Sequence, residues 1–275
     1  MPKQPRRTRE PQVIGIIPAS GRATRLLRSP CSKEILPVAV HREDADQKPR
    51  LKVACEYLLQ NMACAEINTI YMVIRKEKWD IPAYFEGYPP SSNGHIAYLV
   101  NGGTPGVPYT VDQVYPFVHD KLTAVGFPDI LFNEKQAFKK LLDHLEADRA
   151  DIVLGLFPAD QPEHSDLVEY DNHHVVRKIV IKPTQTDLKY TWGIAVWAPA
   201  FSDFLHQFLR DYRRNISGAA ATANGGASEL HLGDVIQAAV DKNFSVKALH
   251  VSDEPYIDIG RVDNYIKAIQ RFLLQ

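Results

Sequence analysis

The chain has few cysteines, no surplus of charge of either sign, and no apolar run long enough to cross a bilayer. Its three cysteines, Cys31, Cys55 and Cys64, form an odd set without metal-ligand spacing. They read as buried or idle thiols of a reducing compartment, so the expected location is cytoplasmic. A formal net charge of −1 leaves no global field to recruit nucleic acid or an anionic membrane. The opening MPKQPRRTRE is basic and Pro-rich, but no apolar h-region follows it, which argues against a signal peptide. Residues 1–10 are expected to be a disordered tail. There is no internal repeat and no heptad run. Neither G-x-x-x-x-G-K-[ST] nor G-x-G-x-x-G occurs at the one Gly-bearing turn that follows an apolar strand. No Ser/His/Asp or Cys/His set suggests a nucleophile, and the pair His173-His174 lacks a spaced third ligand for zinc. A β-turn is the expected setting for those two imidazoles.

What is present is ordinary for a globular protein: 275 residues, 45% hydrophobic and 24% charged. That length is ample for a buried core. QVIGIIPA (12–19) is β-branched, apolar and ended by Pro and Gly, so it reads as a buried parallel strand. RLKVACEYLLQNMACA (50–65) has helical spacing, and INTIYMVIR (67–75) and GHIAYLV (94–100) are strands. TAVGFPDILF (123–132) is a strand interrupted by Pro128, and EKQAFKKLLDHLEA (134–147) is a helix. DIVLGLFPA (151–159), HHVVRKIVIKP (173–183), YTWGIAVWAP (190–199) and FSVKALHVS (244–252) are further strands. Helices are expected over 200–215, 232–243 and 262–275, and SGAAATANGGASE (217–229) as a loop. Alternating strands and helices predict an α/β fold, a Rossmann-like open, mainly parallel sheet flanked by helices. Ligands of such sheets bind outside the carboxyl ends of the strands.

One such end carries VIGIIPASGRATRLLRSPCSKEILPV (13–38). Small residues after a strand let backbone N–H groups approach a phosphate. Arg25 adds a forked, permanent cation and Lys33 a compact one, the ingredients of a triphosphate cradle. A Gly-bearing turn with solvated basic residues has the same composition.

The stretch resembles the signature of the sugar-1-phosphate nucleotidyltransferases, L-A-G-G-x-G-T-R-L followed by K-x-L-L-P. Gly21, Thr24, Arg25, Lys33 and Pro37 match, while Ser20 and Ala23 replace glycines. The similarity continues in order. KPRLKVACEYLL (48–59) is similar to K-P-M-I-x-Y-x-L, and YLVNGGTPGVPYT (98–110) resembles the base-recognition loop. VGFPDILF (125–132) stands where the family has L-x-L-G-D-N, and IVIKP (179–183) resembles the E-K-P element with Ile181 in place of the acid. YTWGIAVWAP is similar to the strand lining the sugar pocket, ELHLGDVIQ (229–237) to E-L-E-I-T-D-I-N, and YIDIGRVDNYIKA (256–268) to W-L-D-T-G-T-x-x-x-L-x-x-A.

The resemblance implies the nucleotide-diphospho-sugar transferase fold over residues 11–275, as one catalytic domain without a hexapeptide-repeat domain. It implies Mg2+-dependent transfer from a nucleoside triphosphate, dTTP or UTP, to a sugar-1-phosphate with release of pyrophosphate. Arg25, Lys33 and Lys182 are the implied catalytic cations. Ala19, Ser20, Gly21, Thr24, Asn101 and Gly106 are the implied nucleotide contacts. Asp129 and Asp258 are the implied metal ligands, and Tyr190 and Gly193 line the implied sugar pocket. From the residues alone, Asp129 also fits a loop aspartate after Pro128, and Asp258 a cap of the next turn. Nucleotide binding without turnover, and cytidylyl transfer to a non-sugar alcohol phosphate, stay open at this point. No nucleic acid or membrane partner is implied, and association into a homo-oligomer is common in the family.

Overall fold

The computed structural model describes residues 12–26, 29–41, 49–86, 94–219 and 229–273. The expected tail at 1–10 lies outside them, as does 220–228 of the expected loop; residues 217–219 instead continue a helix. Among the described residues, no helix is long and apolar enough to cross a membrane.

Strands β1 (Val13–Ala19), β2 (Pro37–His41) and β3 (Arg50–Val53) precede helix α1 (Ala54–Cys64). Then come β4 (Thr69–Arg75), α2 (Asp80–Glu86), β5 (His95–Asn101), α3 (Val107–Asp112) and α4 (Tyr115–Val118). β6 (Leu122–Gly126), β7 (Ile130–Leu131), α5 (Ala137–Ala147), β8 (Ile152–Pro158), β9 (Asp166–Tyr170), β10 (Val176–Ile181) and β11 (Tyr190–Trp197) follow. The chain continues through α6 (Pro199–Ala219), α7 (Leu232–Asp241), β12 (Val246–His250), β13 (Ile257–Asp258) and α8 (Val262–Leu273).

The main sheet runs β10-β9-β11-β6-β1-β4-β5, with β8 and β12 joined to it through β11. Strands β6, β1, β4 and β5 are mutually parallel, as their helical crossovers demand. β11 is antiparallel to β6, β8 and β9, so the sheet is mixed on that side. Side-chain alternation along β1 separates two cores. Ile14 and Ile16 pack with α6 and α7 on one face; Ile17 and Ala19 pack with α1 and α5 on the other. Gly126 ends β6 because a Cβ there would lie 2.4 Å from Leu58 Cδ1 of α1.

Several expected element boundaries need correction. The segment expected as a helix from Arg50 begins as strand β3, paired antiparallel with β2, and turns helical only at Ala54. Its first residues, RLKV, alternate in the two-residue period, which outweighs the helical spacing further on. Helix α5 starts at Ala137 rather than Glu134. The strand expected over 173–183 is β10, Val176–Ile181, because the imidazole pair lies in the expected turn: His174 has φ +58° and its N–H donates to the Asp171 carbonyl.

Candidate active site

β1 ends at Ala19, and the chain leaves the sheet through Ser20–Ala23 into a 3-10 turn at Thr24–Leu26. Ala23 has φ +52°, the left-handed region that normally selects glycine. The loop therefore keeps a glycine-type backbone although a methyl group has replaced the glycine. Ser20, the other replacement, is buried and its hydroxyl lies 2.8 Å from Thr110 Oγ1 on α3. That bond ties the loop to the turn containing Gly106. Gly106 is needed for close approach, since a Cβ would sit 2.7 Å from the Leu230 carbonyl oxygen. Gly21 faces open space and Thr24 is exposed, so both are free to meet a ligand.

Lys33 follows Ser32, which α2 holds in place: Asp80 accepts from the Ser32 N–H at 2.6 Å and its hydroxyl at 2.7 Å. Lys33 Nζ then donates to Asp129 Oδ2. Behind the loop lies a pair that the sequence reading did not single out. Lys78 Nζ donates to Glu34 Oε1 at 2.6 Å and to the Ala19 carbonyl at 2.8 Å. Burial lowers the Lys78 ammonium below the ordinary lysine range and raises the Glu34 carboxyl above its own. The only sequence signal for Lys78 is its place in the charged run RKEKWD, just beyond the carboxyl end of β4.

Asp129 and Asp258 are 129 residues apart in the chain, yet a minimal ladder joins them. β7 pairs antiparallel with β13, with Asp258 opposite Ile130, and the Ile259 N–H donates to the Asp129 carbonyl at 3.0 Å. Asp258 Oδ1 accepts from the Gly260 N–H at 2.7 Å, so this aspartate also caps its own turn. A Cβ on Gly260 would lie 2.8 Å from Asp258 Oδ1, 3.3 Å from Arg25 Nη2 and 3.6 Å from Asp129 Oδ2. Three charged groups thus converge on a space that only glycine leaves open.

The electrostatics follow from that crowding. Burial acts to raise the Asp129 carboxyl, but Lys33 outweighs it and holds the group below the usual range. Asp258 is raised, first by burial and then by the neighbouring Asp129 charge. Burial acts to lower Lys33, yet Asp129, Glu34 and Asp258 together hold it above the ordinary value. Among the described residues no group of three or more His, Cys, Asp or Glu side chains could hold a metal. The two carboxylates Asp129 and Asp258 have the donor chemistry of a magnesium site, since magnesium takes one or two carboxylates and fills its shell with other oxygens and water.

Arg25, Asp129 and Asp258 line a cleft of about 230 Å³ with Lys182, Trp192, Tyr256, Asp166 and His231. Lys182 has φ +41°, a strained turn at the end of β10, and its N–H donates to the Ser165 carbonyl at 3.1 Å. Gly193 backs the cleft: a Cβ would press on the Tyr256 ring at 3.1 Å. Tyr190 points elsewhere, edge-on to His250 with ring centroids 4.2 Å apart. Asn101 closes its own turn, its Oδ1 accepting from the Gly103 N–H at 2.9 Å, and its Nδ2 is buried without a partner among the described residues. Neither side chain lines the cleft. Asp166, His231 and Tyr256 are cleft residues that the sequence reading passed over.

A Bacillus anthracis protein provisionally named a glucose-1-phosphate thymidylyltransferase, solved in complex with sucrose, is similar to this structure with TM-score 0.74 and 18% sequence identity. The match covers 94% of this chain and 94% of that one, and shows a shared fold. No curated protein matches the sequence. The family model for nucleotidyl transferases matches residues 14–274, so the chain belongs to the nucleotidyl transferase family.

Proposed function

We propose that this protein joins a nucleoside triphosphate to a sugar-1-phosphate, releasing pyrophosphate and a nucleotide sugar. The observation that carries the reading is the convergence of Arg25, Asp129 and Asp258 on Gly260, with Lys33 bound to Asp129. A phosphate oxygen of the sugar phosphate attacks the α-phosphorus, and the bond to the β-phosphate oxygen breaks. Such chemistry needs positioning and charge neutralisation rather than a protein nucleophile.

Arg25 would grip the triphosphate and the departing pyrophosphate as a forked donor. Lys33 would offset charge at the reacting phosphates. Lys182, across the cleft, would hold the acceptor's phosphate for in-line attack. Asp129 and Asp258 would hold Mg2+, which supplies charge neutralisation and template geometry when bound. The loop after β1 would bind phosphate oxygens through its backbone N–H groups. dTTP or UTP is the favoured donor, on the resemblance of residues 98–110 to a pyrimidine-reading loop and on the name of the structural relative.

The test is pyrophosphate release from dTTP, UTP, CTP, ATP and GTP, with Mg2+ and a panel of sugar-1-phosphates. Release with one pair, lost in Arg25→Ala and Asp258→Asn, supports the reading. Silence across the panel with nucleotide binding intact would replace it with a binding role.

A further inference from the structure

Asp166 opens β9 and stands directly opposite Ile181 in the β9–β10 register. Its backbone is pinned by Thr191, whose hydroxyl donates to the Asp166 carbonyl at 2.9 Å. Its carboxylate turns into the cleft beside Lys182 and His231, and no hydrogen bond to it occurs among the described residues. The fit around it is close. A Cβ on Gly233 would lie 3.0 Å from Asp166 Oδ2 and 2.6 Å from Ile181 Cδ1. A carboxylate that lines the cleft with no protein donor is placed to accept from a ligand's hydroxyl.

His231 provides the complementary atom. It is the N-cap of α7, held there by two backbone contacts: Asp234 Oδ2 accepts from the His231 N–H at 2.8 Å, and the Asp234 N–H donates to the His231 carbonyl at 3.1 Å. An imidazole always carries at least one ring N–H, so His231 can donate in a cleft where Asp166 is an acceptor. Phe127 and Trp192 add apolar walls.

We propose that Asp166 and His231 are the specificity-determining pair of the acceptor subsite, reading two hydroxyls of a sugar phosphate whose phosphate Lys182 holds. Asp166 accepts from one hydroxyl, and His231 donates to the other. This rests on the transferase reading above. It places the hydroxyl-reading acid on the strand neighbouring position 181, where the chain has isoleucine.

The test is calorimetric binding of glucose, galactose and mannose 1-phosphates, with inorganic phosphate as the ligand that lacks hydroxyls. The expected wild-type result is a preference for at least one hexose phosphate over inorganic phosphate. Asp166→Ala should lower that preference about tenfold or more, the scale of one hydrogen bond to a charged group. Asp166→Asn, which preserves shape, should lower it less. His231→Ser keeps a capping side chain and should lower it as well. Nucleotide binding within about twofold of wild type reports that each variant is folded. A preference unchanged in Asp166→Ala, or no preference in the wild type, overturns the assignment. Failure of the transferase reading shows separately, as absent pyrophosphate release while the hexose preference and its loss in Asp166→Ala persist.

Discussion

Replacing Lys78 by methionine isolates the buried ion pair behind the loop that follows β1. The side chains of Lys78 and Glu34 are 8% and 0% exposed, so neither charge has water to fall back on. Glu34 Oε2 is already buried without a partner among the described residues. Removing the ammonium leaves the buried carboxylate without its hydrogen-bonded partner and with only the Lys33 charge near it, which costs about 3 kcal/mol, the low end for breaking a buried pair. Set against a total stability of about 5–15 kcal/mol, that is a large fraction. The double variant Glu34→Leu/Lys78→Met removes both charges. Its remaining loss is the donor to the Ala19 carbonyl, about 1–3 kcal/mol. The double variant should therefore be more stable than Lys78→Met alone, by about 2 kcal/mol. Urea denaturation followed by fluorescence and circular dichroism measures all three proteins.

A pH series sharpens the test. In Glu34→Leu, Lys78 keeps its burial and loses the carboxylate that raised it. Its folded pKa is then further below 10.5, while the unfolded chain titrates near 10.5. Wild-type Lys78 is already lowered, so the stability of Glu34→Leu relative to wild type should rise with pH between the variant's folded pKa and the wild type's, where only the variant's folded state has shed the proton. A cost under about 1 kcal/mol for Lys78→Met would place the pair among solvated ion pairs and refute the argument. A double variant less stable than the single one would refute it too.

Ala23→Gly should stabilise the protein by about 0.5–1 kcal/mol, because the left-handed strain of an L-residue at φ +52° exceeds the added flexibility of the unfolded chain; thermal unfolding reads the shift, and a lower midpoint contradicts the strain. Gly260→Ala should leave the fold intact while lowering kcat/KM about a hundredfold, since its Cβ would meet Asp258 Oδ1 at 2.8 Å and displace a charged group by a fraction of an ångström. Wild-type kinetics in that variant would mean the three charges do not act together. Gly126→Ala should instead cost stability, about 1–3 kcal/mol of overpacking against Leu58, with kcat unchanged per folded molecule; urea denaturation and active-site titration separate the two effects.

Much of the fold was legible because burial writes a period into the sequence. The strands at 13–19, 69–75 and 152–158 are apolar nearly throughout, as strands buried on both faces must be. β9 was missed for the opposite reason. DLVEY has only two fully buried residues, and its ends face the cleft and solvent. The β7–β13 ladder is two residues long on each side, too short for any pattern, yet it brings Asp129 and Asp258 together. Lys78 lies in a run of charges that reads as a solvated face, and only the tertiary fold turns one of them inward.

The departures from the family signature read differently once the backbone is known. At position 23 the sequence shows a lost glycine, whereas the structure shows the glycine conformation retained under a methyl group. At position 20 the residue that stands for a glycine of the signature adds a hydroxyl that ties the loop after β1 to α3. At position 181, where the resembled motif has an acid and this chain has isoleucine, the cross-strand partner is an acid, Asp166, fifteen residues earlier in the chain but adjacent in the ladder. A motif is read along the chain, whereas a binding site is assembled across strands. A residue that disappears from a motif is therefore best sought at its cross-strand neighbours before the site is judged to have lost its chemistry. If Asp166→Ala abolishes hexose discrimination while Ile181→Ala leaves it within about twofold, the acid has moved across the ladder. If Ile181→Ala has the larger effect, the pocket reads shape through its apolar wall, and the carboxylate is a bystander.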